Sequence, residues 1–232
     1  MRTDGGAHAL EGVALTRLLQ LVSPGLPIGA FAYSQGLEQA VATGWVADEE
    51  SARDWVLGLL EHSFATLDLP VLARLADAWQ DEDRARVDRW SAWLSACRPT
   101  RETREEDRQL GAALARTLAA LGVPEAAAWT DRPDVTHASM FALAAARFDI
   151  PNETALVGYA FTWAEALTSA AVRLVPLGQS AGQRLLAAAG AAIPAAVDEA
   201  LALTDADIGA VAPGQAVASA RHETLYTRLF RS

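Results

Sequence analysis

A chain of 232 residues that is 51% apolar is long enough to bury a sizeable core as one domain, and too apolar to stay unfolded. Its net charge of −10 and pI near 4.8 argue against binding to nucleic acid or to an anionic membrane surface. All 19 basic residues are Arg, which removes Schiff-base chemistry and the phosphate-binding Lys of a Walker A loop.

Residues 1–9 contain no apolar h-region and read as a flexible lead-in to a cytoplasmic protein, without a secretory signal. Leu15, Leu18, Leu19 and Val22 then mark the apolar stripe of a first helix over roughly 10–22. Two prolines and two glycines between Ser23 and Gly29 impose an ordered, non-helical loop. Ser34 reads as the N-cap of a helix that buries Leu37, Ala40 and Val41 and stops at Gly44. Asp48 caps the next helix, where Ala52, Trp55, Val56, Leu59, Leu60 and Phe64 recur at three- and four-residue steps. Pro70 reads as the first turn of another, followed by one from about Asp81 to Ala96. The single cysteine, Cys97, sits among apolar neighbours as a small core residue, and one Cys excludes an internal disulfide.

After Pro99, Thr103 to Glu106 offers a capping box for a helix lined by Leu110, Leu114, Leu118 and Leu121 and ended by Gly122. The charges of 101–108 read as a solvated face laced by pairs such as Arg101–Glu105. Met140, Phe141, Ala144 and Phe148 give a further helix. Asn152 caps a long one that runs to Val175 and breaks at Pro176-Leu-Gly178. Ser180 and Gln183 form a second predicted capping box, and Pro194 should kink or restart the helix they open. The longest charge-free apolar run, 185–197, is too short to cross a bilayer of ~30 Å. The expected architecture is all-α: a single-domain helical bundle over 1–232, of roughly nine or ten helices, with an irregular N-terminal loop and C-terminal tail. Residues 204–232 read as a partner-binding segment.

Gly178-Gln-Ser180-Ala-Gly182 matches the nucleophile elbow of an α/β-hydrolase, with Asp205, Asp207 and His222 in triad order. That reading needs a strand before Ser180 and a parallel sheet, and no βαβ alternation supplies one. A serine hydrolase stands as the enzymatic alternative, with Ser180 better used as an N-cap. His8, His62, His137 and His222 are scattered without metal-ligand spacing, so no catalytic, cofactor or metal site is assigned. The loop around 23–33 and the Arg- and aromatic-rich tail are the residue types that anchor protein interfaces.

Four blocks carry a resemblance: Leu18 to Glu38, Thr103 to Gly111, Ala171 to Gln179 with Gln183-Arg-Leu-Leu186, and His222-Glu to Ser232. In this order they resemble the urease accessory protein F (UreF) family. The resemblance implies an all-helical, non-enzymatic, dimeric adaptor without a cofactor of its own. Such a protein binds the scaffold accessory protein D (UreD, called UreH in some systems) and recruits the GTPase accessory protein G (UreG), so that nickel reaches the urease apoprotein with GTP hydrolysis. Ala30, Ala32 and Leu225 depart from the family pattern. On the matching blocks, the residues expected at exposed partner contacts are Tyr33, Ser34, Glu38, Gln179, Gln183, Arg184, His222, Tyr226 and Arg228. The tail is expected to be poorly ordered alone and to order on binding. The remaining alternative is a helical interaction protein unrelated to urease.

Overall fold

Three helices open on reciprocal hydrogen bonds at their first turn. In the computed structural model, which describes residues 12–210 and 212–232, Asp48 accepts from the Ser51 N–H at 2.9 Å. Thr100 accepts from the Thr103 N–H, and Thr136 from the Ser139 N–H, each at 3.1 Å. In each case the hydroxyl three residues on reaches back to the cap's own N–H. Asp48 caps as expected. The box expected at Thr103 and Glu106 is displaced to Thr100 and Thr103, because Glu106 turns inward and is buried. The expected Arg101–Glu105 pair is likewise replaced by Arg108 on Glu105 at 2.5 Å.

The described residues form ten α-helices and no strand. These are α1 (Gly12–Leu21), α2 (Leu37–Ala42), α3 (Glu49–Leu59), α4 (Leu69–Gln80), α5 (Arg84–Cys97), α6 (Arg101–Ala120), α7 (His137–Arg147), α8 (Asn152–Leu174), α9 (Gln179–Ala202) and α10 (Pro213–His222). The expected flexible segment 1–9 and the first helix's start at 10 lie outside the described residues.

Several boundaries differ from the sequence expectation. The stripe on α1 holds in part: Leu18 and Val22 pack against the main core with buried Ala14 and Leu21, while Leu15 and Leu19 are exposed. Pro70 stands in the first turn of α4 as expected, but no break separates α3 from α4, because a π-helical stretch, Leu60–Asp68, joins them into one rod. Pro70 has no N–H for the carbonyl of Thr66, four residues back, and Gly209 N–H takes that carbonyl at 3.1 Å. Asn152 is the first residue of α8 and caps nothing, the N-cap position falling to Pro151. Pro194 sits inside an unbroken α9, whose flanking Ile193, Ala196, Val197 and Ala200 are all held in cores or contacts.

Two cores result. The main one surrounds α4 and α7, the latter buried without interruption from His137 to Ala145. The second gathers α2, α3, the C-terminal half of α8 and the start of α9, and Phe230 of the tail plugs into it at 5% exposure. Chain reversal at 176–178 folds α9 back along α8 so closely that a Cβ at Gly182 would lie 2.6 Å from Val172 Cγ2.

Candidate partner-binding site

Gly36 turns the chain where a side chain has no room. Its φ is +84°, and a Cβ there would lie 2.9 Å from the backbone nitrogen of Ser219 on α10. Gly36, not Ser34, is therefore the N-cap of α2. Ser34 is fully buried and serves both ends: its hydroxyl oxygen accepts from the Glu38 N–H of α2 at 3.3 Å, while its N–H and its hydroxyl both donate to the Ser232 carbonyl, at 2.8 and 2.5 Å.

Four residues on, Glu38 gathers the rest of the tail. Its Oε1 accepts from Leu229 N–H at 2.6 Å and its Oε2 from Phe230 N–H at 3.0 Å. His222 Nε2 lies 3.0 Å from the same Oε2, and His222 Nδ1 lies 2.7 Å from Glu102 Oε2. Each ring nitrogen thus faces one carboxylate. Arg228 Nη1 donates to Glu102 Oε1 at 2.5 Å. Beyond it, Ser232 Oγ donates to Glu106 Oε2 at 2.6 Å and Gln35 Nε2 to Glu106 Oε1 at 2.8 Å. Tyr33 closes the edge, its hydroxyl donating to Gln109 Oε1 at 2.7 Å.

The structure thus brings Ser34, Glu38, His222 and Arg228 into one network, with Tyr33 beside it. Tyr33, Ser34, Glu38 and His222 are buried, which corrects the expectation that they are exposed. Polar side chains enclosed in this way satisfy one another rather than waiting for a partner. The tail, expected to be loose on its own, is here pinned at Phe230 and Ser232. Tyr226 alone among the predicted tail residues is fully exposed, with Leu229 at 66% close behind. Sequence reading missed Glu102, Glu106 and Gln109, whose charge-dense surroundings resemble a solvated helix face. Burial pushes the Glu106 carboxyl up to about 7, against the Ser232 and Gln35 donors that favour its charged form.

The family model for UreF matches residues 46–190. The chain is 52% identical over 221 residues to the urease accessory protein UreF of Alkalilimnicola ehrlichii, covering 95% of this chain and 97% of the relative. It is 48% identical to that of Chromohalobacter salexigens over 96% of both chains. This chain belongs to the UreF family.

The corner block that it shares with the UreF family lies apart from the tail network. Gln179, Gln183 and Arg184 are exposed on the first two turns of α9, and Arg184 grips Glu49 of α3 through two bonds of 2.7 Å. The capping box expected at Ser180 and Gln183 does not form, because α9 begins two residues earlier, with Gly178 as its N-cap, whose carbonyl already takes the Gly182 N–H. Among the described residues no strand precedes Ser180. Its supposed triad partners are engaged elsewhere: Asp205 with Arg74, Asp207 with Thr204, and His222 between two glutamates. The hydrolase geometry is absent.

Among the described residues no group of three or more His, Cys, Asp or Glu is placed to hold a metal ion. Two helical stretches, Glu49–Gln80 and Gln179–Ala202, are long and apolar enough to cross a membrane by length and composition. Within α9 the charge-free run 185–197 is bounded by Arg184 and Asp198 and stays as short as expected, and Glu49–Gln80 is the rod of the two cores.

Proposed function

We propose that this UreF-family chain acts in urease maturation as a cytoplasmic, non-catalytic adaptor that joins a UreD/UreH-type scaffold to a UreG-type GTPase, so that nickel is delivered to the urease apoprotein with GTP hydrolysis. The observation that carries the reading is the pinned tail. Buried glutamates hold its backbone, and the outward side is left to Tyr226, Leu229 and the arginines, a composition typical of interface anchors. An adaptor biases its partners only through a free-energy difference between bound states, and preformed surfaces supply one without any chemistry of their own. The corner formed by Gln179, Gln183 and Arg184 offers a second contact on a different part of the bundle.

A second copy of this chain is the expected partner for the apolar side chains left where α1 crosses α8. Leu15 and Leu19 of α1 and Val157 and Phe161 of α8 are exposed there, with Phe31 at 61% in the adjoining loop.

The test is co-purification with the D- and G-type proteins of the same genome, read by size-exclusion chromatography with light scattering, with and without GTP and nickel. A D-dependent complex that captures G, built on a dimer of this chain, is the expected result. Folded D that fails to bind would overturn the reading.

A further inference from the structure

Behind the tail network, a cavity of about 100 Å³ lies between α6, α8 and the π-helical stretch. Its polar lining consists chiefly of Asp68, Arg98, Glu106, Asp107, His137 and Tyr159. Arg98 is the only cation among the lining residues, and it is already spent: it grips Asp68 at 2.6 and 3.2 Å and Asp107 at 2.8 Å. Two carboxylates against one guanidinium leave one negative charge, and Glu106 adds a second when ionised.

Two further lining groups lack a partner. His137 is 9% exposed and Tyr159 is 4% exposed, and neither the imidazole nitrogens nor the phenol hydroxyl makes a hydrogen bond among the described residues. Their polar tips open onto the cavity rather than being sealed in the packing, so both are free to bond whatever occupies that space. Burial and the nearby Arg98 hold His137 down at about 4, so its ring offers a lone pair rather than a charge. One wall is aromatic: Phe64 stacks on Tyr159 at 5.4 Å and on Trp163 at 4.6 Å between centroids.

Excess negative charge, neutral acceptors and an aromatic face together define the ligand class. An anion is repelled by the carboxylates. A divalent metal wants several ligands close together, and the described residues provide no such group. A small N–H cation matches each feature, because its protons can meet several acceptors while its charge faces the rings. The cavity is partly open and has room for several water-sized groups, which a small cation fits. We propose that it is a binding site for ammonium or a short primary ammonium, held by Glu106, the His137 lone pair and the Tyr159 hydroxyl oxygen against the Phe64–Trp163 wall. Such a cation would favour the ionised Glu106 and strengthen its hold on Ser232 Oγ, coupling the cavity to the tail.

The experiment titrates the full-length protein near neutral pH with ammonium and methylammonium chloride, against sodium and tetramethylammonium chloride at equal ionic strength. Thermal midpoint and tail hydrogen exchange are the readouts. Saturable stabilisation by the first two salts alone is expected, with the half-saturating concentration raised about tenfold by Tyr159→Phe and by Glu106→Gln. As a check that needs no variant, 15N-ammonium bound to the wild-type protein should give a protected proton signal that methylammonium displaces. Equal effects of all four salts, an unshifted half-saturation in a folded Tyr159→Phe variant, or absence of the protected signal overturns the proposal. Displacement of the signal by nickel at stoichiometric concentration, but not by methylammonium, would also overturn it and make the cavity a metal site.

Discussion

Glu38 and His222 are 184 positions apart in the chain and 3.0 Å apart in the fold, and together they fasten the tail over α2. Glu38 is an acceptor on every side, taking two backbone N–H groups in addition to facing the imidazole. Glu38→Gln keeps the shape but turns an NH2 group toward donors. We expect a loss of about 3 kcal/mol in urea unfolding, the scale for removing one partner of a buried ionic contact. Exchange of the Leu229 and Phe230 amides should accelerate at the same time. Unchanged exchange at those two amides would show that the carboxylate does not hold the tail.

Phe230 tests whether the tail belongs to the second core or merely rests on it. Truncation of a buried Phe to Ala costs about 3–5 kcal/mol when the surrounding structure unfolds with it. Phe230→Ala should therefore speed exchange in α2 and the start of α9, while the amides of α7 in the main core keep their protection. Uniform acceleration across both cores would mean that they unfold as one unit.

Two buried groups give stability opposite slopes with pH. Glu106 sits at about 7 against an ordinary carboxylate value of 4.5, so the folded state holds the extra proton between those limits. Its contribution is full below 4.5 and is lost as pH rises through 7. His137 is lowered to about 4 from 6.5, so its contribution is full above 6.5 and is lost as pH falls through 4. In Glu106→Gln the thermal midpoint should cease to decline between about pH 5 and 7, leaving the acid-side loss in place. A profile that Glu106→Gln does not alter contradicts the assignment.

Arg184 and Glu49 pair on the surface, where water screens them. Arg184→Ala should leave the unfolding midpoint unchanged. Weaker capture of the D- or G-type protein by this stable variant would then report a direct contact at the corner. Unimpaired assembly would assign both partners to other surfaces.

Helix existence was legible because periodicity and stop signals are local. Asp48 as a cap, the apolar series from Ala52 to Phe64, and the break at Pro176 all follow from residues within a turn or two of one another. The errors lie where a distant segment decides. Ser34 has the side chain of an N-cap, and it is recruited by Ser232 from the other end of the chain. Ser180 and Gln183 have the spacing of a capping box, but Gly178 begins the helix first. Glu102 and Glu106 look solvated among Arg101, Arg104 and Arg108 until the tail covers them. The candidate residues were found by block resemblance; their burial was invisible because no single block contains both halves of the network.

The π-helical stretch between α3 and α4 also sets an angular phase. Each residue of an α-helix advances its side chains by about 100°, so one residue more or fewer between Leu60 and Asp68 would rotate one end of the rod against the other. The end at Val56 and Leu59 is keyed into the second core and the end at Leu69 to Leu75 into the main one. A single-residue deletion here would put both registers in conflict without removing any particular contact. The length of this one stretch acts as a spacer that indexes the second core, into which Phe230 plugs, to the main core.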